Sequence, residues 1–291
     1  MTRRGWLLFA AMSLIWGLPY LLIKVAVREV SPALLVFMRT GGGAVLLVPL
    51  AAARGALRPV VAAWKPLVAY TVAELGVPWL LLFSAERRLS SSLSALIVAA
   101  VPLVGAVIAA ATGTERLDSR RLVGLLIGLG GVAALVGLEV GKSDAIAALS
   151  LGGVAVGYAL GPWILSRHLS HLPPIGVAAA SLALCAAGYA PFAALSLPAT
   201  PLAASVVWSV LGLTLVFTAL AFVLFFALIA ETGPVRATVI TYINPAVAVL
   251  LGVSVLGERF GAGTAVGFVL ILAGSFVATR RAPVPAAVPE P

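Results

Sequence analysis

Slid along itself by 143 residues, this chain meets its own image. Pro102-Leu103-Val104 falls on Pro245-Ala246-Val247, Glu115-Arg116 on Glu258-Arg259, Val123-Gly124 on Val266-Gly267, and Gly131 on Gly274. Far upstream, Pro19-Tyr20 with Lys24 falls on Pro162-Trp163 with Arg167, and no gap is needed anywhere. A sequence repeated at that spacing folds as two like halves. Each half carries an odd number of apolar runs, so in a bilayer the second copy lies upside down relative to the first. Inverted repeats of that kind point to transport.

Composition fixes the solvent. Hydrophobic residues make up 62% of the 291 and charged residues only 10%, and the mean hydropathy is +1.15. No ordinary water-soluble domain is built this way. The net charge of +9 comes from Lys and Arg scattered singly or in pairs between apolar runs. Without an aromatic-interleaved basic face it predicts no nucleic-acid partner; the lipid bilayer is the partner. Cys185 stands alone in an apolar run, which excludes a disulfide framework and a cysteine metal site. Arg3-Arg4 and the run after it resemble a signal peptide, but the run continues to about Val27 without a small-residue cleavage site, so it is read as a retained first span. The segment 282–291, with four prolines among its last nine residues, is expected to be disordered.

The predicted fold class is an all-α integral membrane protein with ten transmembrane helices of about 20 residues each. In the first half they run at about 5–25, 32–52, 66–84, 90–111 and 121–138; in the second at about 146–166, 174–195, 203–229, 234–255 and 262–279. The repeats therefore span 1–140 and 146–281. Loop charges orient them, because Lys and Arg favour the cytoplasmic side. With both termini cytoplasmic, the inner side holds Arg3, Arg4, Arg54, Arg58, Lys65, Arg116, Arg120, Arg121, Arg167, Arg236, Arg280 and Arg281. The outer side holds Lys24, Arg28, Arg87, Arg88, Lys142 and Arg259, with Arg39 left inside a span. The expected location is the plasma membrane of a bacterial-type cell, multi-pass.

Trp16-Gly17 in the first helix, Ser31-Pro32 leading to Arg39 in the second, and the series Pro102, Glu115-Arg116, Gly124 resemble the EamA-type transporters of the drug/metabolite transporter superfamily. Asn244-Pro245, then Leu256-Gly257-Glu258-Arg259, Gly267 and Gly274 repeat that series; the first copy departs at Gly113-Thr114-Glu115, where the family has Gly directly before Glu. The likeness runs from about residue 5 to 281. It implies ten helices in two inverted five-helix repeats, a central cavity, and movement of small metabolites, often the export of amino acids.

Ionisable residues inside a span cost about 2.5–3.5 kcal/mol on insertion scales, so they face a cavity or a partner. Glu74 lies roughly 12 Å into the third helix and Arg39 roughly 10 Å into the second, leaving about 8 Å between them along the membrane normal. A zwitterion bridges such a gap; a direct Arg–Glu contact, an Arg bound to helix-end carbonyls, or an acid satisfied by a neighbouring helix are the structural alternatives. A carboxyl group in a desolvated cavity can also take up and release a proton, which makes Glu74 the candidate proton-coupling residue. Trp16, Tyr20, Tyr70, Tyr158, Trp163 and Tyr242 are candidate aromatic walls for a substrate, or packing, and Asn244 beside Pro245 is a candidate polar contact. Pro19, Pro102, Pro162 and Pro245, two repeat-related pairs, are candidate hinges or static bends. Lys24 and Arg167 are read as side chains reaching the headgroups, and Glu115 and Glu258 as partners of the helix dipoles that follow them. Glycines at 153, 157 and 161 and at 124 and 128 allow close helix packing.

No cofactor and no metal are expected: His168 and His171 have no acidic or cysteine companion. No nucleophile elbow, zinc-protease motif or P-loop is present, so the reading is transport rather than catalysis. The leading expectation is a secondary transporter that moves a small polar or zwitterionic metabolite, an amino acid or related compound, outward by alternating access. A lipid or lipid-linked metabolite flippase on the same scaffold is the alternative, and an intramembrane enzyme a weaker one. Homodimerisation is left open.

Overall fold

The computed structural model describes residues 2–113, 118–232 and 240–279, together with all their side chains except those of Lys142, Phe226, Ile229, Ala230, Thr241, Tyr242 and Thr279. The expectations for Glu115-Arg116, Arg236, the Tyr242 side chain, Arg280, Arg281 and the tail 282–291 lie outside the described residues.

Every regular element among the described residues is helical. Eight helices are long and apolar enough to cross a membrane: α1 (Arg3–Ala26), α2 (Pro32–Ala53), α3 (Trp64–Glu86), α4 (Ser91–Ala111), α5 (Ser119–Glu139), α6 (Ala145–Leu169), α7 (Pro174–Ala194) and α8 (Ala204–Phe225 in its apolar part). Two shorter apolar helices follow, α9 (Ile240–Leu256) and α10 (Ala262–Thr279). Starts are set by local chemistry. Ser31 caps α2 through a hydrogen bond from the Leu34 amide, with Pro32 in the first turn, where its missing N–H leaves nothing unsatisfied. Ser90 caps α4 and Asp118 caps α5 in the same way.

Four of these helices are interrupted. α1 breaks at Leu18, directly before Pro19, and α4 breaks at Ala99-Ala100, ahead of Pro102. Their repeat mates behave differently: Pro162 and Pro245 lie inside continuous helical segments. α3 and α8 each contain a stretch of π-helix, at Val72–Gly76 and Leu215–Leu220, and α6 ends in another at Leu165–Leu169. A shift of 143 residues carries Val72 onto Leu215, so the first two stretches occupy matching places in the two halves.

The halves interlock instead of standing apart. The most extensive contacts join α5 to α10 and α2 to α7, which are repeat equivalents. Gly124 lies against Ala278, Gly128 against Gly274, Gly131 against Ile271, and Leu135 against Gly267. That register is antiparallel, and a side chain at Gly124, Gly128 or Gly274 would overlap its neighbours, so the two backbones touch. Likewise Ser31 donates a hydrogen bond to the Ser196 hydroxyl at 2.8 Å, and Gly43 meets Leu182, so α2 and α7 are antiparallel too. α1 packs on α8 and α9, while α6 packs on α3 and α4. Side chains that face outward, such as Trp6, Leu126, Ile146, Leu149, Trp208 and Val269, are exposed and apolar, as a lipid-facing surface requires.

Candidate functional site

Glu74 sits in the π-helical stretch of α3. A π turn adds one residue to the helix and redirects the side chains around it, and such bulges recur at functional sites. Pro78, which cannot donate to the carbonyl of Glu74, lies two residues past the stretch. Tyr189 of α7 donates to the Gly76 carbonyl at 2.9 Å and so ties down the end of the bulge. The Glu74 side chain points at α6, where Gly161 makes room; an added Cβ would overlap Glu74 Oε2. Oε2 is buried and has no hydrogen-bond partner, and neither has the nearby Thr71 hydroxyl.

Arg39 crosses to the other half. It is 7% exposed, its Nε donates to Thr218 Oγ1 at 2.9 Å, and one terminal nitrogen donates to the Phe217 carbonyl at 3.2 Å. Both acceptors belong to the π-helical stretch of α8. Thr218 in turn donates to the Leu213 carbonyl at 2.8 Å. The guanidinium carbon lies 3.9 Å over the Trp79 ring, a cation–π contact that gains strength when water is excluded. Arg39 therefore has neutral partners. The ion pair formed among the described residues is elsewhere, between Arg88 and Asp144 at 2.9 Å on the surface, and Arg39 and Glu74 do not pair directly.

Tyr20 and Tyr158 join this centre. Tyr158 is an electrostatic neighbour of Glu74, Arg39 and Glu86 and approaches Trp79, and Tyr20 neighbours Tyr158, Arg39 and Glu86. Tyr70 also neighbours Glu74 but packs into an apolar cluster with Leu67, Leu169 and Val177. Three predicted residues fall elsewhere. Trp16 stacks with Phe225, ring centroids 4.5 Å apart. Trp163 meets Arg167, 5.0 Å above its ring, and His168, and its buried indole N–H has no acceptor. Asn244, with its amide oriented by its surroundings, donates to the Ser13 and Ile240 carbonyls and so links α9 to α1.

Sequence reasoning missed three residues of the site. Trp79 and Thr218 stand inside apolar runs with nothing in the sequence to single them out, yet together they hold Arg39. Glu86 fell beyond the expected end of the third helix at 84, yet α3 continues through it and buries it. Two surface expectations also change. Lys24 is not free to reach headgroups, since its ammonium donates to the Glu86 and Leu89 carbonyls, each at 2.6 Å. Glu258 does not serve the helix that follows it: its carboxylate accepts from the amides and hydroxyls of Ser91 and Ser92 and caps α4. Glu139 takes the α10 terminus instead, accepting from the Thr264 amide at 3.1 Å.

Grooves open among the described residues. One, about 450 Å³, lies between α2, α3 and α7 and is lined by Thr71, Val72, Gly76, Cys185 and Tyr189 among others. Another, about 410 Å³, lies between Glu29 and the segment from Pro198 to Ala203. Neither takes in Arg39 or Glu74; the π turn of α3 is the wall between the first groove and Glu74.

A multi-helix membrane bundle with a buried arginine and an unpaired carboxylate where its halves meet has the build of a polytopic membrane transporter. The chain belongs to the EamA-like transporter family, whose model matches residues 3–137 and again 145–280. It is 29% identical over 259 residues to YedA of Escherichia coli K12, an uncharacterized inner membrane transporter, covering 85% of this chain and 81% of that one. The YedA proteins of strains O6:H1 and O157:H7 match to the same extent. A solved crystal structure of 23% identity aligns over 94% of this chain and 96% of that one with a TM-score of 0.65, a likeness of fold. The protein is accordingly a multi-pass transporter of the plasma membrane.

Proposed function

We propose that this protein is a secondary transporter of ten membrane helices in two inverted halves with both termini cytoplasmic, and that it carries a small polar or zwitterionic metabolite such as an amino acid out of the cell. The antiparallel pairing of repeat-equivalent helices, α2 with α7 and α5 with α10, supports the inversion. One observation supports the substrate class: of two matching π turns, one bears Glu74 with an unpartnered oxygen and the other holds Arg39, and Tyr158 neighbours both charged groups. A free carboxylate recognises an ammonium group and an arginine recognises a carboxylate. Tyr20 and Tyr158 complete the wall, and Glu74 is the coupling residue that binds a proton when the substrate is absent. Alternating access follows from rocking one half against the other.

Purified protein in liposomes loaded with an amino-acid mixture tests this reading. The expected result is saturable counterflow of a labelled amino acid that Arg39→Ala removes; no flux of amino acids, amines or organic acids under any ion gradient overturns it. The apolar groove between α2, α3 and α7 favours a second reading, a lipid substrate entering sideways. Movement of a fluorescent phospholipid between leaflets, with no amino-acid counterflow, would decide for it.

A further inference from the structure

Glu86 closes α3, and none of its surface is exposed. Both of its carboxyl oxygens are buried without a hydrogen-bond donor, and it forms no ion pair among the described residues. An ionised carboxylate in that position would surrender its hydration and receive no hydrogen bond or contact ion pair in exchange, so the group calls for a bound cation. The charged and titratable groups facing it are Tyr20 and Lys24 from α1, Arg39 from α2, Tyr158 from α6 and Glu258 from the α9–α10 connection.

The chemistry of these neighbours selects the cation. A metal ion needs several oxygen ligands. The nearby carbonyls of Glu86 and Leu89 are held by the Lys24 ammonium. The Glu258 carboxylate is occupied on both oxygens by Ser91 and Ser92. A proton is the one cation that a carboxyl group binds without further ligands.

We propose that Glu86 is a second proton-carrying group of this transporter and that Lys24 governs when the proton leaves. The proposal rests on the transport reading for its role, but the proton itself is measurable without any substrate. In the conformation described, one proton sits on Glu86 while two of the three ammonium protons of Lys24 bridge the end of α3. When α1 slides against the end of α3, Lys24 releases the two carbonyls and pairs with the carboxylate, and the proton passes to water. One proton is bound and one released per cycle. Glu86 has no acidic counterpart in the other half, where the matching residue is Ile229.

Infrared difference spectroscopy of the full chain in lipid nanodiscs reads this directly. In a Glu74→Gln background, so that Glu74 contributes nothing, a protonated-carboxyl C=O stretch is expected to persist at pH values where exposed carboxylates are ionised. Adding Glu86→Gln removes it, and Glu86→Asp moves it to the aspartic-acid frequency, which keeps the result readable if the glutamine variant fails to fold. Lys24→Met, which offers the carboxylate no partner, retains the band at a pH where the parent loses it. Absence of the band, its survival in the Glu86→Gln protein, its erasure by sodium at constant pH, or no effect of Lys24→Met overturns the proposal. A band that behaves as expected in a protein that moves no substrate would leave the proton site standing and remove the transport reading.

Discussion

The π-helical stretches of α3 and α8 stand at matching positions of a duplicated chain, and their side chains have diverged completely. In α3 the stretch presents a carboxylate, Glu74, and leaves one of its oxygens unsatisfied. In α8 the matching residue is Phe217, and there the backbone does the work: its carbonyl and the Thr218 hydroxyl hold Arg39, a residue contributed by the first half. One bulge donates a side chain to the centre and the other offers it a widened backbone. Duplication supplied two equivalent irregular turns, each freeing polar groups inside a bilayer, where such groups must find partners. Charges at only one copy of each pair, Glu74 against Phe217 and Arg39 against Leu182, then gave the centre its polarity.

The comparison can be broken most sharply at Glu74. Glu74→Gln preserves the shape and is expected to abolish uptake driven by an imposed pH gradient in proteoliposomes; uptake that persists would move the coupling role away from the α3 bulge. Arg39→Lys tests the opposite bulge. A lysine keeps the charge but cannot bond Thr218 and Phe217 while stacking on Trp79, and losing a charged hydrogen bond of about 1.5–3 kcal/mol predicts a fall of roughly tenfold to hundredfold in counterflow rate. At Gly161 the predicted effect is on stability, because a methyl group there overlaps the Glu74 carboxyl. Gly161→Ala should cost about 1–3 kcal/mol by overpacking. Adding Glu74→Ala should return most of it, which a double-mutant cycle of thermal unfolding measures. Thr218→Val leaves the Arg39 Nε without its acceptor and should cost about 1.5–3 kcal/mol, as for a hydrogen bond to a charged group, seen as a loss of unfolding temperature, with the smallest effect on counterflow of the four, since Phe217 still holds the guanidinium.

Much of the scaffold was legible because lipid leaves few choices. Apolar runs of span length must become helices, and the runs at 32–52, 90–111 and 174–195 match α2, α4 and α7 closely. Pro19 and Pro102 marked real interruptions. Pro162 and Pro245 did not, because a proline breaks a helix only where neighbours accept the freed groups, and that depends on tertiary packing. The ionisable pair at the centre was visible as charges inside spans. Its partners were not, since the π turns have no sequence pattern of their own: Val72–Gly76 and Leu215–Leu220 share no residue type that announces a bulge. Glu86 was missed for a related reason. A charge near the end of an apolar run reads as a boundary, whereas α1, α4 and the Glu258 loop close over it.

The close seam between α5 and α10 bears on how the chain is made. Gly124, Gly128 and Gly131 on α5 have no side chain to cover their backbone, and the surface they fit arrives only with α10. At ordinary synthesis rates, on the order of 150 further residues take about ten to thirty seconds. During that interval the first half sits in the membrane as a set of inserted but unlocked helices, and its final assembly waits on the synthesis of α10. Co-expression of the two halves as separate polypeptides should therefore yield one stable complex, while the first half produced alone should be degraded.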